Sequence, residues 1–355
     1  MLRPAHRIPP LAAALVLVAT ASPRAATLYV TPDVPADLSG ATYKASDIAA
    51  AADASYALAL ALPENARIDA LQRLSSGQWL VSFEAPTRIG IVEYDPRDVV
   101  RTDGASFSLF WSGSTNGIPA GVNIDALALA GSDTAPLLLS IDVPAQIAGL
   151  NVRPADVLRW SGGSYTKSFD ATAAGVPEGV NLVGLDAING GLLLSFDVPV
   201  DLAALRALPG DVVLWDGLAF SMFRQGSPNG WLPKHELAGF GLPAAPGRAD
   251  SVMVANAGAG QLSVSWAASC STWASDYGIY AGTIGGTFTS HSPLDCADAG
   301  NDHVELVSPP AGNVYFLVVP LSATEEGSYG GDSAGHERPR GTTTCRAAQG
   351  VPVCP

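Results

Sequence analysis

Apolar and polar residues alternate along most of this chain in short runs separated by Gly, Pro, Asn and Asp. A period of two marks half-buried antiparallel strands. The clearest stretch predicts strands over Asn181–Ala187, Leu192–Phe196, Asp211–Trp215 and Leu218–Phe223, joined in part by the turns Asn189-Gly-Gly191 and Asp216-Gly217. Asp-Gly and Gly-Gly pairs supply the positive-φ residues that tight hairpins need.

This pattern recurs. Variants of Leu194-Ser-Phe-Asp-Val-Pro199 stand at Val30–Pro35, Val81–Pro86 and Leu139–Pro144. An Asp follows each carboxylate after 14 residues, and an aromatic follows after nine more (Tyr56, Phe107, Tyr165, Phe220). Equal spacing in four copies is an internal repeat. The first copy lacks its opening strand, while a stretch resembling that strand stands after the last copy, at Glu236–Phe240. A split unit is how a closed ring joins its ends. The expectation is an all-β fold: a four-bladed β-propeller over residues 27–243, closed by a C-terminal strand. Closure removes the open edges on which repeat arrays aggregate.

Past the Pro/Gly linker Leu242–Gly247, further short strands lie at Val252–Val254, Gln261–Trp266, Asp276–Tyr280, Val304–Leu306 and Val314–Val319. They predict a β-sandwich over residues 249–338, followed by a Cys-containing tail at residues 339–355. Trp266, Tyr277, Tyr280, Tyr315–Pro320 and Glu326–Gly330 resemble a fibronectin type III domain. The inserted Cys270–Cys296 segment departs from that pattern. The whole chain resembles exported bacterial proteins that join propeller-like β repeats to such a module. The resemblance implies an adhesive or spacer role and transfers no catalytic residue.

Residues 1–21 read as a signal peptide: Arg3 and Arg7, the apolar Leu11–Val18, then Ala19-Thr-Ala21. The apolar run is too short to span a bilayer, and no other transmembrane segment is predicted. The protein is therefore expected to be secreted or periplasmic. The formal charge of −14 becomes −16 once Arg3 and Arg7 are removed, and Lys occurs only at 44, 167 and 234. So acidic a surface repels phosphate backbones and excludes nucleic acid as a partner. Four cysteines behind a signal (Cys270, Cys296, Cys345, Cys354) predict two disulfides. Three connectivities are open; the local one pairs Cys270 with Cys296 and Cys345 with Cys354.

The repeated acids are the candidate chemistry. Asp33, Glu84, Asp142 and Asp197 end the second strand of each repeat, and Asp47, Asp98, Asp156 and Asp211 begin the third. Antiparallel pairing brings both sets to one face of the disc. The second set is the candidate metal site, with Ca²⁺ as the possible ion, since hard cations take several oxygens. The competing reading makes each Asp an acceptor for backbone N–H groups in its own turn. The first set and Trp231, in a Gly/Pro-rich connection, are the candidate binding residues. Trp160 and Trp215 share a strand position, which predicts packing.

The loop containing Asp295, Asp298, Asn301 and Asp302 lacks the twelve-residue calcium pattern and reads as solvated. Gly331-Asp-Ser-Ala-Gly335 fits a hydrolase elbow only by spacing; no buried strand and helix flank it. The functional expectation is a non-catalytic binding or scaffold protein for an extracellular glycan or protein. The alternative is a secreted polysaccharide hydrolase or lyase using paired propeller carboxylates. Catalysis asks for carboxyls in unlike environments, and the repeated acids are nearly identical.

Overall fold

The computed structural model describes residues 28–351 except 53–54, 204, 232–234, 286–288, 299–301 and 334–335. The signal segment, Lys234, Asn301 and Cys354 lie outside the described residues. Apart from the short 3-10 turn Ser227–Asn229, the regular structure is strand throughout.

The repeats form four antiparallel sheets of four strands, a β-propeller-like fold. Sheet two runs Ile68–Arg73, Trp79–Phe83, Val99–Thr102, Phe107–Trp111 from its inner to its outer strand. Sheet three runs Ile124–Leu129, Leu137–Ile141, Val157–Ser161, Ser164–Phe169; sheet four runs Leu182–Ile188, Gly191–Phe196, Val212–Trp215, Phe220–Arg224. Sheet one joins the two ends of the repeat region: Leu237–Gly241 pairs with Leu28–Pro32, which pairs with Asp47–Ala52 and then Ser55–Ala61. The register sets Val30 against Phe240 and Tyr29 against Gly241. The four inner strands touch in cyclic order, so the sheets close around an axis.

Packing explains the repeated motif. Inner strands are buried almost end to end, while outer strands such as Ser55–Ala61 alternate toward solvent. Thr31, Ser82, Ser140 and Ser195, the hydroxyl position of each copy, are fully buried. Each donates to a carbonyl: Ser140 to Pro154 at 2.6 Å, Ser195 to Pro209 at 3.3 Å, Thr31 to Ala45 at 3.4 Å and Ser82 to Ile124 at 2.7 Å. A buried hydroxyl left without an acceptor costs about 1–3 kcal/mol, so a small donor is needed there.

Between the second and third strands of every sheet lies a small hairpin that the alternation did not reveal. The four are Ala36–Leu38 with Ala41–Tyr43, Thr87–Ile89 with Val92–Tyr94, Ala145–Ile147 with Leu150–Val152, and Val200–Leu202 with Leu205–Ala207. The positive φ of Ser39-Gly40 and Ala148-Gly149 matches the primed turn that such hairpins use.

The C-terminal region forms a sheet of Asp250–Gly258, Gln261–Ala267 and Val304–Val307, and a second sheet of Ser292–Asp295, Asp276–Thr283, Val314–Leu321, Glu325–Glu326 and Ala348–Gln349. Val264, Trp266, Tyr277, Ile279, Val307 and Val318 form a shared core. The tail beginning at residue 339 is thus part of this domain, since Ala348–Gln349 runs parallel to Glu325–Glu326.

The disulfide observed is Cys296–Cys345, which corrects the local pairing. The returning tail carries Cys345 back to Cys296 because buried Glu326 captures it. Glu326 accepts from the backbone N–H of Arg346 at 3.0 Å and Cys345 at 2.5 Å, from Tyr329 Oη at 2.6 Å and from Tyr280 Oη. Cys270 is also disulfide-bonded.

Candidate functional site

The antiparallel order puts the starts of all inner strands at one end of the axis, with the ends of the second strands beside them. Each inner strand is preceded by one polar residue: Arg67, Asn123, Asn181 or Glu236. Asp142 Oδ1 accepts the N–H of Asn123 at 2.7 Å, and Asp197 Oδ1 that of Asn181 at 2.9 Å. Asp33 pairs with Arg67 Nη2 at 3.4 Å, and Glu84 pairs with the Nε of the same arginine. The first set of acids is therefore gathered around this mouth.

Two further acids, absent from the repeat pattern, lie one step along the inner strands. Asp69 and Asp125 hold the second position of their inner strands, where sheets four and one have Val183 and Ala238. Asn123 Nδ2 donates to Asp69, and Asn181 Nδ2 to Asp125, each bond linking neighbouring sheets. Burial raises the Asp69 carboxyl well above the usual carboxylate range, helped by the charge of Asp125. Burial pushes Asp125 up to about 7, with Asp142 and Asp197 adding to the shift. Glu236 is pushed up to about 7 by burial and by Asp33, Asp197 and Asp125. Burial likewise raises Asp197. Desolvation and like charge both disfavour the ionised form, and Arg67 is the cation paired with acids of this group.

The rim is apolar. The residue after three of the four outer acids is an exposed valine: Val34 (42%), Val143 (40%) and Val198 (40%). At the opposite end of the axis the C-terminal domain covers the inner strands. Trp273 packs in one cluster with Leu74, Leu129 and Ala244. Asn189, in the turn ending the inner strand of sheet four, donates through its backbone to Cys270 O at 2.7 Å and through Nδ2 to Ser269 O at 2.9 Å. A Cβ on Gly131 would stand 2.4 Å from Thr272 O.

The candidate metal residues have a different surrounding. Asp156, fully buried, accepts the N–H of Arg153 and of Ala171, each at 2.9 Å, and pairs with Lys167 at 2.9 Å. Asp211 accepts from Leu208 at 2.9 Å and Gly226 at 2.7 Å; Asp98 accepts from Asp95 at 3.2 Å and Gly113 at 3.1 Å. Asp47 accepts from Lys44 N at 2.8 Å. In each of the four sheets this Asp accepts backbone amides of its own turn, the arrangement that the turn reading expects. Among the described residues no three His, Cys, Asp or Glu side chains are grouped to hold a metal.

Trp231 is corrected from surface to core. It is 3% exposed, donates Nε1–H to His235 O at 2.7 Å and packs against Tyr56. Leu62, Ile118 and Val176, each likewise five residues before the residue that opens an inner strand, are also buried, so the tryptophan fills a repeated core position. Trp160 lies 5.9 Å from Trp111 across sheets three and two, and Trp215 lies 5.7 Å from Phe169 across sheets four and three. In the C-terminal loop, Asp298 is buried and accepts from His303 N at 3.1 Å. Gly331, which opens the elbow-like sequence, sits in an isolated bridge to Glu337.

No protein-family model matches the chain, and no curated protein matches it. Solved structures with some likeness include virginiamycin B lyase from Staphylococcus aureus, at 13% identity and TM-score 0.27, covering 81% of this chain and 86% of that one. Another is YCF48 bound to D1 peptide, at 6% identity and TM-score 0.27; the match spans 63% of this chain and 58% of that one. A third is the extracellular domain of a one-component system from B. thetaiotaomicron, at 8% identity and TM-score 0.29, covering 80% of this chain and 47% of that one. Likenesses this distant say nothing of what the chain binds.

Proposed function

We propose that this is an exported, non-catalytic binding protein: a four-bladed propeller whose acidic mouth faces the ligand, carried on a fibronectin type III-like module. The observation that carries the reading is the unlikeness of the two axial ends. One presents half-exposed acids inside an apolar rim, and the other is covered by Trp273 and its neighbours. The cyclic contact of four inner strands supports the blade count. The three-stranded and five-stranded sheets, with Trp266 and Tyr277 between them, support the sandwich assignment. A disulfide in a chain that opens with a signal-like segment supports export.

The ligand class is an extracellular glycan or protein. Screening the mature protein against glycan and matrix-protein panels tests this, with the double variant Asp33→Asn/Glu84→Gln alongside. Binding that the variant loses supports the mouth; binding that it keeps moves the ligand elsewhere. No binding by either leaves a spacer role.

One observation favours the enzymatic alternative. Asp125 and Glu236, both raised to about 7, sit beside the outer acids, so the carboxyls of the mouth are not all alike. Release of reducing ends or unsaturated products from polysaccharides by the native chain, abolished in Glu236→Gln, would favour it. No release with substrates that the protein binds would end it.

A further inference from the structure

We propose that the edge strand Asp250–Gly258 pairs antiparallel with the same strand of a second copy, so that two chains join through one continuous sheet of the C-terminal domain. The strand ends the three-stranded sheet. It is bonded on one side to Gln261–Ala267 and on the other to none of the described residues. All nine of its residues are exposed. Its outer row of backbone N–H and C=O groups can therefore template another strand.

The usual guards of such an edge are absent. The strand holds no Pro, Lys or Arg, and its one charge, Asp250, is paired with Arg248 at 2.9 Å. Two other edges of this domain do carry guards: Pro293 and Asp295 in Ser292–Asp295, and Glu305 in Val304–Val307. Apolar side chains stand on both faces of the unguarded strand. Met253 is 65% exposed, Val254 48% and Val252 38%. The register sets Met253 beside Ser265 and Ser265 beside Val304, and likewise Ala255, Ser263 and Leu306, so Met253, Val304 and Leu306 share the outer face. Val254 lies opposite fully buried Val264 on the inner face, yet the core there includes no residue of the edge strand.

The strand fits its own copy. Turned about Val254, an antiparallel copy puts Met253 opposite Ala255 and Val252 opposite Asn256, larger against smaller, and Asp250 opposite Gly258. The two Asp250 residues then stand about 26 Å apart along the pair, beyond the screening length of about 8 Å. A parallel copy would set Asp250 against Asp250. Two chains of formal charge −14 repel over most of their surface, and residues 251–258 carry no charge. Register shifts lie between Asp250 and Met253 and between Asn256 and Gly258, which leaves Met253–Asn256 as the regular stretch at the centre of the pair. Whatever ligand the mouth takes, the pair carries two propellers, and binding to a surface with repeated ligands strengthens by avidity.

One strand pair is a small interface, below the roughly 1,200 Å² of a standard one, so exchange between monomer and dimer at micromolar concentration is expected. Sedimentation velocity of the full mature chain from about 1 to about 200 µM tests it. The native mass is expected to rise from one chain toward two. Val254→Lys, which brings two ammonium groups together at the axis of the pair, is expected to raise the dissociation constant about tenfold or more. Val254→Cys is expected to form a disulfide-linked dimer on oxidation, and Asp250→Cys is not. A native chain that stays monomeric throughout overturns the proposal and leaves the edge to a strand of another protein. So does a dimer that Val254→Lys leaves intact, or one in which Asp250→Cys crosslinks as readily as Val254→Cys.

Discussion

The carboxyls of Asp69 and Asp125 stand at the same position of two neighbouring inner strands, and Asp125 disfavours the ionised form of Asp69. Burial and a like-charged neighbour both favour the protonated carboxyl. Asn123 and Asn181 complete the arrangement from the next sheet in each case.

Stability should therefore depend on pH in a stated direction. Asp69, Asp125 and Glu236 all bind a proton more tightly folded than unfolded. Their contribution is complete below about pH 4; that of Asp125 and Glu236 is lost as pH rises through about 7, and that of Asp69 is lost in the same direction. Thermal unfolding should give a falling Tm between about pH 5 and 8. Asp125→Asn should flatten that fall and melt above the native chain at the alkaline end. An unchanged slope in the variant would remove Asp125 from the account.

Asp156 offers a test of the calcium reading. Its two backbone N–H partners would be left unmatched in Asp156→Ala, while Lys167 keeps Asp170 at 3.2 Å, so the cost is about 1–3 kcal/mol for each buried donor left without an acceptor. Urea unfolding measures this loss. Titration with Ca²⁺ or EDTA should leave the melting temperature of the native chain where it is. A Ca²⁺-dependent rise that Asp156→Ala abolishes would return these acids to metal binding.

Gly184 tests the fit of sheet four against the closing strand. A Cβ there would lie 2.4 Å from Phe240 Cδ1 and 2.6 Å from Cε1. Gly184→Ala should cost about 1–3 kcal/mol through overpacking. Gly217→Ala, in a turn with open space but φ of 94°, isolates backbone strain from packing. Gly184→Ala with Phe240→Leu should recover part of the loss if packing is the cause.

The Cys296–Cys345 bond spans 49 residues, which in the chain-entropy picture is worth about 4 kcal/mol. Cys296→Ser/Cys345→Ser should lower stability by about that much and should also free the backbone donors of Glu326. Protease sensitivity concentrated at residues 339–350 would report that release. A variant as resistant as the native chain would mean that the Glu326 contacts alone retain the tail.

Much of the fold was legible because the repeat forces it. Leu192–Phe196 was expected as a strand and Gly191–Phe196 is one, and Glu236–Phe240 was expected beside Leu28, where Leu237–Gly241 stands. Part of what escaped does not repeat. Asp69 and Asp125 have Val183 and Ala238 as counterparts, so comparison of the four copies passes over them. The small hairpins escaped because each strand is three residues long, and the one at Val200–Ala207 turns through Ala203 at φ 52° with no glycine to mark it. Trp231 was misread because its Gly/Pro surroundings resemble a surface loop, although Ile118 and Val176 stand in the same register with the same turn chemistry.

Trp273 and Asn189 tie the C-terminal domain to the inner strands, well away from the outer edges of the sheets. A pull on the C-terminal domain is therefore delivered at the hub of the wheel. The outermost strands, which have the least burial, lie off the line of force. Under tension the ring should hold as a unit and then fail in one step, where a domain hung from an outer strand would be peeled away strand by strand. The joint between the two regions is on the stiff part of the structure.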